Sequence, residues 1–199
     1  MKKVAIIGAG IVGATAAYYL SKESDLEVTV FDHGQGQATK AAAGIISPWF
    51  SKRRNKAWYR MARLGADFYQ DLIAELKDAG IQTDFYQQTG VYLLKKDESK
   101  LQELSDLAAN RREESPLIGD LSLLSLQEAH EKFPDLQGFE RLLYASGGAR
   151  VEGALLTKTL LKASKAELVE KKVSLIVEGE ELLVDGCNFD CVVLDVGGW

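Results

Sequence analysis

Six residues near the N-terminus, Gly8-Ala9-Gly10-Ile11-Val12-Gly13, fit the pattern G-x-G-x-x-G. They directly follow an apolar run at residues 4–7, which is typical of a parallel strand covered on both faces, and they open a predicted helix over 11–22. In such a turn the first glycine permits a tight bend, the second lets a pyrophosphate approach the backbone, and the third lets helix and strand pack closely. The motif and its context predict a dinucleotide-binding βαβ unit.

A second predicted strand, over residues 27–31, is rich in β-branched side chains and ends at Asp32. This carboxylate follows the glycine motif by about 20 residues, where an acidic side chain accepts hydrogen bonds from the ribose of an adenosine. It would repel the 2′-phosphate of NADP. The pyrophosphate itself is expected at the positive end of the helix, facing unpaired N–H groups.

The segment after Asp32 bears on the choice between FAD and NAD. A nicotinamide dehydrogenase usually continues with another short helix and strand, whereas here a long loop is predicted over residues 33–55. Its run Thr39-Lys40-Ala41-Ala42-Ala43-Gly44 is made mostly of small residues, which expose the backbone to an extended cofactor. The alternative is an alanine-rich helix start without ligand contact.

The predicted pattern of secondary structure changes twice along the rest of the chain. Residues 56–146 have an α+β pattern, and an α/β pattern returns after residue 147. The elements predicted in the middle are a helix over 57–79, a hairpin of 85–86 and 91–94, helices over 101–112 and 125–133, and a strand over 139–145. The elements predicted after it are a helix over 153–164, a meander with strands 173–177 and 182–184, and an apolar strand over 191–194.

Composition excludes several classes of protein. With 46% apolar residues and a net charge of -5, the chain is expected to be globular and not to bind nucleic acid. No apolar stretch approaches the ~20 residues that cross a bilayer, and no signal peptide is recognisable. Cys187 and Cys191 form neither a disulfide framework nor a metal-binding spacing, so a cytoplasmic protein without a metal site is predicted.

Several motifs together resemble one family. They are KKVAIIGAGIVGATAAYYL, VTVFDHG, ATKAAAGIISPW, QQTGVYLL, GGARVEG and VVLDVGGW. In this order, over essentially the whole chain, they resemble the FAD-dependent D-amino acid oxidase and dehydrogenase family, with glycine oxidase among the nearer relatives. The resemblance implies an α/β fold: a Rossmann-like FAD-binding domain of the glutathione-reductase type over 1–50 and 147–199. A partial α+β substrate domain over 51–146 is inserted in it.

The resemblance also implies which residues bind FAD. The glycine motif would face the pyrophosphate, Asp32 the adenosine ribose, and the backbone of Val173 the adenine, while the turn at Gly197-Gly198 closes over the cofactor. His33 either touches the adenosine or is an exposed loop residue. The candidate cofactor-binding residues are Gly8, Gly10, Ile11, Val12, Gly13, Asp32, His33, Thr39, Lys40, Ala41, Ala42, Ala43, Gly44, Ile45, Val173 and Gly197.

Three departures from the family pattern stand out. The family more often has Glu in place of Asp32, and a small residue in place of Asp195, where a charge needs a partner or solvent. The chain also stops at Trp199, whereas relatives continue beyond this motif. The continuation is expected to carry the residues that hold the substrate carboxylate. We therefore name no catalytic residue and expect this N-terminal portion to be inactive alone.

The reaction implied is oxidation of a D-amino acid, glycine or a related amine. The flavin accepts a hydride from the α-carbon, and water hydrolyses the resulting imine. The alternatives are an NAD-dependent dehydrogenase with an inserted domain, or an inactive FAD-binding fragment. The expected partner is a small amine, not nucleic acid or membrane, and homo-oligomer formation is left open.

Six other residues have competing interpretations. Trp49 is a candidate for a substrate pocket, whereas Trp58 belongs to a helical stripe and is expected in the core. Arg150 is expected in a structural salt bridge, with carboxylate anchoring as the alternative. His130 is expected to be solvated, and both cysteines are expected as small core or strand residues.

Overall fold

Two compact units make up the chain. The computed structural model describes residues 1–35 and 38–197. One unit is formed by Met1–Gly44 together with Glu152–Trp199, and the other by Ile45–Val151. The predicted boundaries, after residue 50 and before residue 147, differ from these by a few residues. Trp49 and Phe50 belong to the core of the second unit.

The helices and strands are numbered in chain order. The helices are α1 (Ile11–Leu20), α2 (Ala38–Ala41), α3 (Lys56–Asp78), α4 (Glu98–Arg111), α5 (Leu126–His130) and α6 (Gly153–Ala163). The strands are β1 (Lys2–Ile7), β2 (Leu26–Phe31), β3 (Ile45–Ile46), β4 (Tyr86–Gln87), β5 (Val91–Leu93), β6 (Leu121–Ser125), β7 (Arg141–Ala145), β8 (Ala149–Val151), β9 (Glu167–Val169), β10 (Leu175–Glu178), β11 (Glu181–Val184), β12 (Cys187–Phe189) and β13 (Cys191–Leu194).

A parallel sheet in the order β13-β1-β2-β9 organises the first unit. Val4 of β1 pairs with Val28 on one side and with Cys191 on the other. The three apolar runs predicted as strands therefore form the neighbouring strands of one sheet. Strand β9 was missed, because its three residues are too few to show a periodicity.

Helices α1 and α6 pack beside this sheet. Ala17 of α1 is buried in a cluster with β1 and β2 side chains, and Leu161 of α6 packs against the same cluster. Alanine allows α1 to lie close to the strands. Each fully buried valine or isoleucine of the cluster contributes roughly 1.5–3 kcal/mol to folding. The buried sheet therefore stabilises the positions from which the loops at its carboxyl end begin.

The predicted meander is an antiparallel sheet of β10, β11 and β12. Its first strand begins at Leu175 and not at Val173, and its third strand was not predicted. Phe189 contacts Phe31 edge-on, with ring centroids 6.0 Å apart. Cys187 and Cys191 are strand residues, which is one of the two predicted alternatives, and both are exposed free thiols outside the core.

The second unit contains two antiparallel sheets, in the orders β3-β8-β4 and β5-β7-β6. The predicted hairpin of residues 85–86 and 91–94 is wrong, because β4 pairs with β8 while β5 pairs with β7. Gly90, between them, has a φ of +82° and donates from its N–H to the oxygen of Gly148 at 2.8 Å. A Cβ atom there would lie 2.3 Å from the ring of Tyr144, so only glycine permits this bend.

Burial in the second unit corrects two aromatic assignments. Trp49 is fully buried in the core with Leu101 and Leu143, and is not a pocket residue. Trp58 is 37% exposed and is not a core residue. The long predicted loop over 33–55 is also partly structured, because it contains α2 and β3. These elements, of four and two residues, are too short to show in a sequence pattern.

Two polar assignments also change. His130 is half-buried, with Nε2 2.6 Å from the carbonyl oxygen of Leu136, and is not a freely solvated side chain. Arg150 donates from Nε to Oε1 of Gln87 at 3.2 Å and, within residues 1–35 and 38–197, forms no ion pair. The expected structural salt bridge is therefore wrong. Among the described helices, none is long and apolar enough to cross a membrane.

Candidate functional site

A cavity of about 470 Å³ opens in the first unit where β1, β2 and β13 end. Ligands of open α/β sheets bind outside the carboxyl ends of the strands, and this volume lies within the range of ligand pockets. The lining residues are Ile7, Gly8, Ala9, Gly10, Ile11, Phe31, Asp32, His33, Gln35, Ala38, Thr39, Lys40, Thr157, Lys171, Lys172, Val173, Asp195, Val196 and Gly197.

The three glycines of the motif have different reasons to be glycine. Gly8 has a φ of +105°, and a Cβ atom on it would lie 1.8 Å from the backbone oxygen of Asp195. A Cβ atom on Gly13 would lie 2.0 Å from the oxygen of Gly8. Both glycines are therefore required by backbone packing. Gly10 is different, because the atoms nearest to its Cβ position belong to side chains, the closest being Oδ2 of Asp195 at 2.9 Å.

The first turn of α1 has backbone N–H groups that lie outside the helical hydrogen-bond pattern. Gly10 is its N-cap residue and supplies no capping side chain. The N–H of Ile11 donates to Oγ1 of Thr39 at 3.2 Å. The N–H of Val12 has no acceptor in the part of the chain that the structure describes, and Val12 is 59% exposed. A free N–H at the positive end of a helix is suited to an anion.

Asp32 lies at the end of β2, on one side of the glycine turn. One carboxylate oxygen accepts from the N–H of Ala9 at 2.8 Å, and the other accepts from the N–H of Gly34 at 2.6 Å. These two bonds fix the orientation of the carboxylate. Each oxygen retains a lone pair that can accept from a hydroxyl group. The side chain can therefore support the turn and bind a sugar at the same time.

Asp195 lies on the other side of the turn, directly after β13. Its N–H donates to the oxygen of Ile7 at 2.8 Å, which continues the pairing of β13 with β1. Its Oδ2 accepts from the N–H of Gly13 at 2.8 Å. No Lys, Arg or His among the described residues forms an ion pair with it. A negative charge thus lies against the helix start without a cationic partner.

Three lysines bring positive charge to the cavity wall. Lys171 forms an ion pair with Asp185, with Nζ 2.5 Å from Oδ2. The hydrogen bond and the charge of this partner raise the pKa of Lys171, and the same contact lowers the pKa of Asp185. Lys40 and Lys172 have no ion pair within the described residues. Their charges remain available to an anionic ligand.

The structure brings together about half of the predicted site residues. Those that line the cavity are Gly8, Gly10, Ile11, Asp32, His33, Thr39, Lys40, Val173 and Gly197. Those that do not line it are Val12, Gly13, Ala41, Ala42, Ala43, Gly44 and Ile45. Gly13 is buried behind the turn, and the three alanines after Lys40 are exposed. Gly198, the second half of the predicted closing turn, lies outside the described residues.

Some lining residues were missed in the sequence. Lys171 and Lys172 directly precede Val173, so a search of the neighbours of that residue would have found them. Thr157 is buried on α6 and donates from Oγ1 to the oxygen of Gly153 at 3.0 Å. Thr157 is one residue of a predicted helix, and nothing in the sequence around it indicates that it lines a cavity. Asp195 was recognised only as a departure from the family pattern.

The parallel sheet, the glycine turn and the cavity at the strand ends define a nucleotide-binding α/β protein of the Rossmann type. Residues 3–199 match the model of the family described as FAD dependent oxidoreductase, and the chain belongs to this family. The predicted family and fold class are thereby confirmed. The choice between FAD and NAD is decided in favour of FAD, the cofactor of the family.

Three relatives illustrate the match. The uncharacterized oxidoreductase YurR of Bacillus subtilis is 40% identical over 208 residues, covering 100% of this chain and 56% of the relative. The glycine oxidase of Pseudomonas putida is 31% identical over 166 residues, covering 81% of this chain and 43% of the relative. The crystal structure of iminodiacetate oxidase from Chelativorans sp. BNC1 has a TM-score of 0.90 and 34% identity, covering 98% of this chain and 55% of that one. The chain therefore spans about half the length of these relatives.

Proposed function

We propose that the protein uses FAD to oxidise the C–N bond of glycine, a D-amino acid or a related amine to an imine. The observation that carries the proposal is the cavity at the glycine turn, with Asp32 on one side, in a chain of this family. Two relatives are named for glycine and for iminodiacetate, which are both amino acids with an unbranched α-carbon. An amine that carries a carboxylate is thus the substrate class we favour.

The first unit is proposed to hold the ADP half of FAD. The glycine turn fits this group because the atoms nearest to a Cβ position at Gly10 belong to the Asp195 and Thr39 side chains and not to the backbone. The N–H of Val12 and the positive end of α1 would face the pyrophosphate. Asp32 would accept from the ribose hydroxyls, and Lys40 would lie on the phosphate side. Val173 would line the adenine end.

When bound, FAD supplies the group that accepts the hydride from the substrate carbon. The residues described above would contribute binding and orientation, because they would hold the nucleotide part of the cofactor. Asp32 is preset for this role by its two backbone hydrogen bonds. No rotation of the carboxylate is needed when the ribose arrives, which lowers the entropic cost of binding.

The second unit is proposed to be part of the substrate domain. It has its own buried core, which includes Trp49, Leu101 and Leu143. It is also inserted in the first unit as one continuous segment, Ile45–Val151. These features support a separate role for this segment.

A spectroscopic experiment tests the proposed function. Purified full-length protein supplied with FAD should show the absorbance of a bound flavin. Under anaerobic conditions this absorbance should bleach when glycine, sarcosine, proline or a D-amino acid is added. Ethylamine, which lacks a carboxylate, is the control and should bleach it much more slowly. Bound FAD that no amine reduces would contradict the proposed reaction but not the proposed cofactor site.

A further inference from the structure

Asp195 is an unusual neighbour for a dinucleotide. Its carboxylate accepts from the N–H of Gly13 in the first turn of α1, at 2.8 Å. It also lies at the cavity wall, with Oδ2 2.9 Å from a Cβ position at Gly10. The positive end of the helix, which is the natural place for an anion, therefore already holds a fixed negative charge.

We propose that Asp195 weakens the binding of FAD by placing its carboxylate beside the phosphate position of the glycine turn. The inference rests on the proposed function, which locates the pyrophosphate at this turn. It assigns to Asp195 the role of setting cofactor affinity, in opposition to the neighbouring residues that bind the nucleotide.

Competition for donors is the first reason. A pyrophosphate and a carboxylate both only accept hydrogen bonds, and the turn has few N–H groups to offer. Asp195 uses the N–H of Gly13, and Thr39 uses the N–H of Ile11. The N–H groups of Gly10 and Val12, which have no acceptor among the described residues, are left for the ligand. A ligand anion at this turn therefore gains fewer hydrogen bonds than the motif could provide.

Charge is the second reason. No cationic side chain among the described residues pairs with Asp195, so its charge is offset only by the helix start. In a partly enclosed cavity like charges repel more strongly than in water. The hydrogen bond to Gly13 does not need a charge, since a neutral amide oxygen also accepts from an N–H group. The repulsion and the structural bond can therefore be separated by substitution.

Asp195→Asn is the variant that separates them, because it keeps an acceptor for Gly13 and removes the charge. We expect it to bind FAD roughly 5-fold more tightly than the unsubstituted protein, as the removal of one like charge near a helix start implies. Asp195→Ala serves as a second variant. It removes charge and acceptor together, and it should also bind FAD more tightly as long as its melting curve shows a folded protein.

The chain offers a matched control in Asp190. Its Oδ2 accepts from the N–H of Lys3 at 2.7 Å, the same kind of bond that Asp195 makes. It precedes β13, whereas Asp195 follows this strand, and it does not line the cavity. Asp190→Asn also changes the net charge by the same amount. It should leave FAD affinity unchanged.

In the experiment, flavin-free protein is titrated separately with FAD, ADP and adenosine, and binding is measured by calorimetry. Asp195→Asn should tighten binding of FAD and ADP, leave adenosine unchanged because it has no phosphate, and show a smaller effect at high salt. Equal or weaker FAD binding by Asp195→Asn would overturn the inference, and so would an equal gain for adenosine. If no protein, substituted or not, bound FAD, the proposed function would fail as well. A failure confined to Asp195→Asn would leave that function standing.

Discussion

A carboxylate lies on each side of the glycine turn, and the two are proposed to affect the binding of the cofactor in opposite ways. Asp32 and Asp195 each follow a strand that pairs with β1, and each accepts a backbone hydrogen bond of 2.8 Å from the turn. On the Asp32 side the proposed ligand brings ribose hydroxyls, which donate hydrogen bonds. On the Asp195 side it brings phosphates, which only accept them. The role of a carboxylate in this cavity is therefore decided by the part of the nucleotide that it faces.

The largest predicted effect is on the free energy of unfolding, and it comes from a substitution in the glycine turn that lies between the two carboxylates. Gly13→Ala places a Cβ atom 2.0 Å from the oxygen of Gly8, and neither backbone segment can move without disturbing β1 or α1. We expect a loss of about 3 kcal/mol in the free energy of unfolding, measured by chemical denaturation. Gly65→Ala is the control, because nothing lies within 4 Å of its Cβ position on α3. That substitution should stabilise the protein by about 0.5–1 kcal/mol.

Neutralising Asp32 should weaken the binding of FAD, whereas neutralising Asp195 should tighten it. Asp32→Asn replaces one of two acceptor oxygens by a donor, so one backbone N–H and the ribose lose a charged acceptor. We expect FAD affinity to fall roughly 30-fold, as for the loss of a hydrogen bond to a charged group. The measurement is the same titration as for Asp195→Asn. If both substitutions shifted FAD affinity in the same direction, the contrast between the two sides would be wrong.

Gly10→Ala tests whether the second glycine serves the ligand and not the fold. Its Cβ atom would meet the side chains of Asp195 and Thr39, which can move, and the three atoms nearest to it all belong to these side chains. We expect a melting temperature near that of the unsubstituted protein. FAD affinity should fall roughly 10-fold, because the phosphates can no longer approach the backbone. A protein that unfolded like Gly13→Ala would show that Gly10 is required by packing.

The smallest predicted effect concerns the ion pair of Lys171 and Asp185. The contact lowers the pKa of Asp185, so its contribution to stability is present above the ordinary carboxyl pKa and is lost as pH falls through the lowered value. It also raises the pKa of Lys171, so the pair persists on the alkaline side until that value is passed. Asp185→Asn should therefore melt slightly below the unsubstituted protein at neutral pH. The two melting curves should converge in acid, and a difference that persisted there would contradict this account.

The sequence predicted the parts of the fold that depend on neighbouring residues. The strand, turn and helix around Gly8 were found because an apolar run, glycines and a helical stretch follow one another directly. Asp32 was found because its distance from that motif is nearly fixed by the βαβ unit. Cavity residues such as Gly10 and Thr39 followed from the same local pattern.

Parts that depend on distant residues were not predictable. The bend at Gly90 is selected by the ring of Tyr144, and nothing near residue 90 in the sequence reveals that contact. Trp49 is buried by residues of α4 and β7, so its aromatic character alone could not distinguish core from pocket. The contact of Asp195 with Gly13 joins positions 182 residues apart. Its carboxylate was noticed as unusual, but its hydrogen-bond partner required the structure.

The most direct test of the central claim is a competition titration. If the first unit holds the ADP half of FAD at the glycine turn, folded protein will bind FAD, and ADP will displace it. FMN, which lacks the ADP half, will neither bind tightly nor compete. The account would be contradicted if FMN bound as tightly as FAD, or if ADP did not displace FAD from the folded protein.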